Sequence, residues 1–145
     1  MIISGDNYVL AITEKGEVFS WGNNDYGQLG LGHNNHCNTP QLVEFFNEKQ
    51  IKNIISGSNH VLAMTEEGEV FSWGCNHYGQ LGLGHNNNCN TPQLVEFFNE
   101  KQIRNIISGG YHVLAITEEG EVFSWGKMIM DNLDWIIIII VIHRN

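Results

Sequence analysis

The sequence predicts an all-β chain, a partial β-propeller of about two and a third four-stranded blades, and three observations predict it. Laid over itself with an offset of 52, the chain puts Gly5 on Gly57 and Gly109, Trp21 on Trp73 and Trp125, and Pro40 on Pro92. Residues 4–55 and 56–107 are identical at 44 of 52 positions. Two short runs rich in Val, Phe, Met and Trp, residues 61–65 and 69–73, flank Glu66-Glu67-Gly68. That is a hairpin whose loop glycine needs a positive φ. In Val61-Leu62-Ala63-Met64 neither face is polar, as expected of a strand covered on both sides by neighbouring blades. The units are residues 1–55, 56–107 and a partial 108–126, followed by a non-repeat hydrophobic tail, 127–145.

Ile2 and Ile3 are the equivalents of Ile54 and Ile55, so the chain is expected to begin inside a strand, as if cut. No basic stretch followed by an apolar core and a small-residue cleavage site stands at the N-terminus, which predicts a cytoplasmic or nucleocytoplasmic setting. The cysteines agree: Cys37 and Cys89 are repeat equivalents, Cys75 stands alone, and no paired framework of a secreted mini-protein emerges. Gly16, Gly68 and Gly120 occupy the hairpin loops, and Trp21, Trp73 and Trp125 close the second strand. Gly27, Gly30, Gly79 and Gly82 supply tight backbone in Tyr-Gly-Gln-Leu-Gly. Two more strands complete each unit: residues 41–45 and 93–97, each starting after a strand-excluding proline, and residues 51–55 and 103–107. A helix over residues 47–55 competes with the last of these, because Glu48 and Lys52 stand i, i+4.

Apolar residues make up 42% of the chain and charged ones 16%, a globular balance. Seven Lys and Arg face 16 Asp and Glu, and the net charge of −9 is spread evenly over the three copies. Without a basic stripe, nucleic acid is not the expected partner. The connectors GHNNHCNT (32–39) and GHNNNCNT (84–91) place His and Cys four residues apart. Each offers two or three ligands where zinc takes four, so they read as Asn-rich loops, with no metal site and no cofactor. His60 and His112 are expected to satisfy buried backbone groups. Gly79-Gln80-Leu81-Gly82 lacks the lysine of a phosphate loop. Ser72 and Ser124 sit mid-strand beside tryptophans, where a small residue lets blades approach, and not on an exposed nucleophile elbow. Glu66, Glu67 and Glu69 read as a solvated hairpin tip, or as part of an acidic partner-facing edge. The chain is not expected to be an enzyme.

Positions that the full copies do not share should carry whatever differs in function. The eight differences are Asp6/Ser58, Tyr8/His60, Ile12/Met64, Lys15/Glu67, Asn23/Cys75, Asp25/His77, His36/Asn88 and Lys52/Arg104. Asn23, Asp25, Cys75 and His77 fall in the loop entering Tyr-Gly-Gln-Leu-Gly, which makes them the candidate protein-binding residues of a loop rim. Open blade edges add self-association as an option. The tail reads KMIMDNLDWIIIIIVIHRN, and its apolar run of eight residues, Trp135 to Ile142, is too short for the roughly 20 residues of a spanning helix. Two readings compete for it: a strand that patches the open edge of the last blade, or an ending produced by truncation or misread coding sequence. The second also accounts for the abrupt stop of the repeat.

The string G-x-x-H-V-L-A-M-T-E-E-G-E-V-F-S-W-G-x-N-x-Y-G-Q-L-G-L-G, with Gly57, His60, Gly68, Trp73, Gly74, Gly79, Gln80, Leu81 and Gly82 in register, resembles the repeat of the regulator of chromosome condensation family. The resemblance covers residues 2–126 and implies the blade of a seven-bladed propeller, a ring that 145 residues cannot close alone. Tyr8 departs from it, standing where the other copies carry His60 and His112. The best-known member is a chromatin-bound exchange factor for a small nuclear GTPase, but no wedge-like hairpin or basic tail is visible here. Other relatives join such propellers to BTB or HECT domains and recruit partners for ubiquitin ligation. The resemblance therefore implies a noncatalytic adaptor module, with guanine-nucleotide exchange as the alternative and an inert truncated fragment as a third reading.

Overall fold

The computed structural model describes residues 1–127, and both readings of the tail concern residues that lie outside them. Among the described residues eleven strands run in order: β1 (Ile2–Ser4), β2 (Tyr8–Ile12), β3 (Val18–Gly22), β4 (Cys37–Leu42), β5 (Ile51–Ser56), β6 (His60–Thr65), β7 (Val70–Gly74), β8 (Cys89–Leu94), β9 (Ile103–Ser108), β10 (His112–Thr117) and β11 (Val122–Gly126). They form three antiparallel sheets: β1-β2-β3-β4, β5-β6-β7-β8, and β9-β10-β11. The all-β partial propeller is therefore what the chain builds. Ile51–Ser56 is a strand, so the helical alternative over residues 47–55 does not hold. It closes the first sequence unit yet opens the second sheet.

The expected strands at residues 41–45 and 93–97 are corrected. The fourth strand of each complete sheet is Cys37–Leu42 or Cys89–Leu94, with Pro40 or Pro92 inside it. Glu44–Phe46 and Glu96–Phe98 instead form single 3-10 turns. Proline is admitted because β4 and β8 are edge strands, where a missing N–H costs no ladder bond on the outer side. The 3-10 turn drives Phe46 or Phe98 into the core, each with its ring centre about 5.5 Å from the tryptophan of the following blade.

β6 is buried at every position. Val61 and Ala63 belong to the core between the first and second sheets, and Leu62 and Met64 to the core between the second and third. That alternation is why neither of its faces is polar. Each seam is pinned by one indole: Trp73 Nε1 donates to Gln28 O at 3.0 Å and Trp125 Nε1 to Gln80 O at 2.9 Å, both across blades. The indole lies on a glycine of the preceding loop, where a Cβ built on Gly30 or Gly82 would stand 2.8 or 2.9 Å from the indole nitrogen. Those glycines are required by the approach of the indole as well as by φ of +69° and +68°.

The seams differ at their inner ends. Tyr8 Oη donates toward Gly57 O at 3.1 Å and His60 O at 2.8 Å. In the next seam the shorter His60 stops 2.9 Å from Ser108 Oγ, and that hydroxyl reaches Gly109 O at 3.0 Å and His112 O at 3.3 Å. The departure at Tyr8 is thus a replacement in which one phenol does the work of an imidazole plus a serine. The expectation that His60 itself satisfies a buried backbone group is corrected: its ring meets Ser108 Oγ, and that hydroxyl serves the carbonyls.

Candidate functional site

The rim is the loop end of the blades, opposite the tight hairpin turns. Its two long loops, after β3 and β7, are held by buried side chains that both copies share. Asn24 is fully buried, accepts from Leu29 N at 3.1 Å, and donates to His33 O at 2.7 Å and Asn35 O at 3.0 Å. Asn76 repeats this with Leu81 N, His85 O and Asn87 O at 3.1, 2.8 and 3.0 Å. Ser20 and Ser72 donate to Leu29 O and Leu81 O, each at 2.8 Å, so these serines strap the loop to the strand besides being small. Buried polar groups satisfied this fully fix a loop rather than loosen it.

On that scaffold the positions that differ between copies meet in pairs. Asp25 Oδ1 lies 2.8 Å from His36 Nε2, and Asp25 also takes the Asn23 side-chain amide at 3.0 Å on Oδ2. The hydrogen bond from His36, and then that from Asn23, hold the Asp25 carboxyl below the usual carboxylate range. In the second copy the same two places hold His77 and Asn88, 3.4 Å apart, and Asn88 Oδ1 accepts from Asn76 N at 2.9 Å. The exchange of Asp25/His36 for His77/Asn88 is a matched replacement across one loop. His77 also meets Tyr26 of the preceding blade edge-on at 5.3 Å, and Tyr78 meets Tyr111 at 5.6 Å with Lys127 Nζ 4.6 Å above its ring.

Of the four residues singled out from the sequence, Asp25 and His77 are exposed and Asn23 is half-buried. Cys75 is buried at 6% exposure, and burial pushes its thiol pKa up, so it belongs to the floor of the loop rather than its surface. His36, Asn88 and the tyrosines Tyr26, Tyr78 and Tyr111 complete the rim and were not on that list. His36 and Asn88 were legible as a differing pair, but their contact with the other pair was not. Among the described residues no three His, Cys, Asp or Glu side chains converge as a metal site, and no helix is long and apolar enough to cross a membrane. The expected turn glycines Gly16, Gly27, Gly30, Gly68, Gly79, Gly82 and Gly120 all have positive φ. Trp21, in the first blade, is only partly buried, whereas Trp73 and Trp125 are covered.

Residues 15–64 and 67–116 match the Regulator of chromosome condensation (RCC1) repeat, and residues 51–80 match a second description of the same repeat. The chain is 41% identical over 124 residues to the human E3 ubiquitin-protein ligase HERC2, covering 86% of this chain and 3% of that protein. Among solved structures it resembles human WBSCR16, with a TM-score of 0.83 and 28% identity, covering 98% of this chain and 37% of that one. It also resembles Prp20p of Saccharomyces cerevisiae, with a TM-score of 0.71 and 28% identity, covering 88% of this chain and 30% of that one. The chain thus spans a small part of each of these proteins. A 52-residue repeat folded into adjoining four-stranded sheets, pinned by Trp on Gly-Gln-Leu-Gly and matched over both copies, leaves one conclusion: the chain belongs to the Regulator of chromosome condensation (RCC1) repeat family.

Proposed function

We propose that the chain is a noncatalytic protein-interaction module, the propeller segment of an adaptor that works in the cytoplasm or nucleus and is linked to ubiquitin ligation. The observation that carries this reading is the matched exchange of Asp25/His36 for His77/Asn88 on loops whose buried bracing is unchanged. The scaffold is kept and the displayed chemistry is changed, as suits a surface that reads partners. The similarity to HERC2, named an E3 ubiquitin-protein ligase and matched over 3% of its length, favours ubiquitin ligation as the setting. The even negative charge favours a protein partner over nucleic acid.

Guanine-nucleotide exchange is the second reading, favoured by the structural similarity to Prp20p, a protein studied for its binding to Gsp1p and histones. One experiment separates the two. A photoreactive residue is placed at Asp25 or His77 of the full chain in cells, with a control at Glu67 on the opposite hairpin tip. The purified protein is assayed in parallel for release of fluorescent GDP from a small GTPase. The adaptor reading expects a partner captured from the rim and not from the tip, bound directly by the purified chain, and no acceleration of nucleotide release. Accelerated release, or capture only from the tip, refutes it.

A further inference from the structure

Both prolines of the chain follow a threonine, and the pair recurs one period apart as Thr39-Pro40 and Thr91-Pro92. Each pair stands in a bulge. β3 and β4 pair Ser20 with Gln41 and Gly22 with Cys37, so Asn38, Thr39 and Pro40 together oppose Trp21. β7 and β8 repeat this, with Asn90, Thr91 and Pro92 opposite Trp73. Three consecutive residues of each fourth strand thus fall outside its paired register, and the residue before a proline is confined to extended backbone. Thr39 and Thr91 are exposed. Each hydroxyl oxygen accepts from the glutamine two residues on, Gln41 Nε2 at 3.0 Å or Gln93 Nε2 at 2.8 Å, and among the described residues neither hydroxyl donates a hydrogen bond. The other threonines differ. Thr65 and Thr117 are buried, and the exposed Thr13 spends its hydroxyl proton on Glu17 Oε2 at 3.2 Å.

We propose that Thr39 and Thr91 are phosphoacceptor sites for a proline-directed protein kinase, modified in the folded chain. The proposal is independent of the rim reading. An acceptor for such an enzyme needs an uncommitted hydroxyl on an extended segment, followed by a residue that presents a ring and no N–H, and the bulge supplies all three. The threonine oxygen attacks the γ-phosphorus of a nucleoside triphosphate, and the bond from that phosphorus to the β-phosphate oxygen breaks. The nucleoside diphosphate leaves with the electron pair, and the hydroxyl proton passes to the catalytic carboxylate of the kinase. The Thr91 methyl faces the first blade, 3.7 Å from where a Cβ on Gly32 would stand, while Oγ1 turns to the exposed Gln93. The phosphate therefore projects away from the seam, within reach of the Gln93 amide. Asn90, which accepts from Gly32 N and donates to Asn34 Oδ1, each at 2.9 Å, keeps both bonds.

The test incubates the purified full chain with a mitogen-activated protein kinase and MgATP, and follows each site by mass spectrometry. A synthetic peptide of residues 86–97 gives the rate of the same motif free of the fold. Residues 37–51 and 89–103 are identical, so one peptide serves both sites. The expected result is phosphate on Thr39 and on Thr91, each at a rate within about tenfold of the peptide, and none on Thr13, Thr65 or Thr117. Pro92→Ala should slow Thr91 at least about tenfold and leave Thr39 of the same molecule within about twofold. Amide exchange at Gly32, which reads the Asn90 clasp, should stay within about twofold after modification. Phosphate missing from either threonine or from the peptide, rates in the chain further below the peptide, or faster exchange at Gly32 overturns the inference.

Discussion

Replacing Gly30 with alanine should destabilise the protein by about 2–6 kcal/mol more than replacing Gly68. Both glycines are left-handed, with φ of +69° and +86°, so both substitutions carry the same backbone strain of about 1–2 kcal/mol. Around Gly68 nothing lies within 4 Å of the added Cβ, and strain is the whole cost. At Gly30 the methyl stands 2.8 Å from Trp73 Nε1 and 3.1 Å from its Cδ1. The indole must move, and its 3.0 Å bond to Gln28 O is lost inside a seam where Trp73 is fully buried. An unsatisfied buried donor costs about 1–3 kcal/mol and overpacking a further amount of similar size. Urea denaturation followed by circular dichroism measures both variants. In a Trp73→Leu background, Gly30→Ala should fall to the strain cost alone, a coupling that a double-mutant cycle reads directly. Equal midpoint shifts for Gly30→Ala and Gly68→Ala, or no coupling to Trp73, would refute the account of the seam.

Tyr8→Phe should cost about 1–3 kcal/mol by stranding Gly57 O and leaving His60 O with the Gly57 N–H alone, while Tyr8→His should cost less, because Ser56 occupies the position from which Ser108 serves His60. Thermal denaturation of the two variants decides it. His60 is fully buried, and desolvation, with the nearby His112 as a smaller cause, lowers its pKa from 6.5 to about 4. The unfolded chain therefore binds the proton first, so stability is full above pH 6.5 and falls as the pH drops toward 4, by about 3 kcal/mol in all. Denaturation midpoints between pH 7 and 4 should show this fall, and His60→Tyr should flatten it. Ser72→Ala should lose about 1–3 kcal/mol through the stranded Leu81 O and loosen the following loop, visible as faster amide exchange at Gly82. His36→Asn should raise the Asp25 pKa toward its ordinary value in an NMR titration and leave the denaturation midpoint unchanged, since this pair lies in solvent.

The hairpins, their loop glycines and the double burial of β6 were legible because each is set by local pattern: apolar runs, a turn glycine, and no polar face. The fourth strand was not. Pro40 and Pro92 argued it away from themselves, since a proline looks like the end of a strand until it is known to lie at a sheet edge. The 3-10 turn at Glu44–Phe46 was hidden for a related reason, because Phe45 and Phe46 have strand-like chemistry and only the seam's need for a buried ring selects the turn. The rim was half legible. Comparing copies found Asn23, Asp25 and His77, but the same comparison discarded Asn24 and Asn76 as unvarying, although an asparagine kept unchanged between differing neighbours is itself a sign of a buried brace. Distances alone could pair Asp25 with His36 and His77 with Asn88, eleven residues apart in each loop.

The phase of the sheets bears on how such a chain changes length. Ile51–Ser56 ends one sequence unit and begins the next sheet, so blade boundaries and repeat boundaries do not coincide. Because each seam repeats the one before it at an offset of 52, a deletion or duplication of 52 residues starting anywhere in the repeat rejoins the chain in register, with Trp again facing a Gly-Gln-Leu-Gly loop. With 44 of 52 positions identical, each such change adds or removes one blade without creating an unfamiliar seam. The cut point is irrelevant to the fold, and only the period matters.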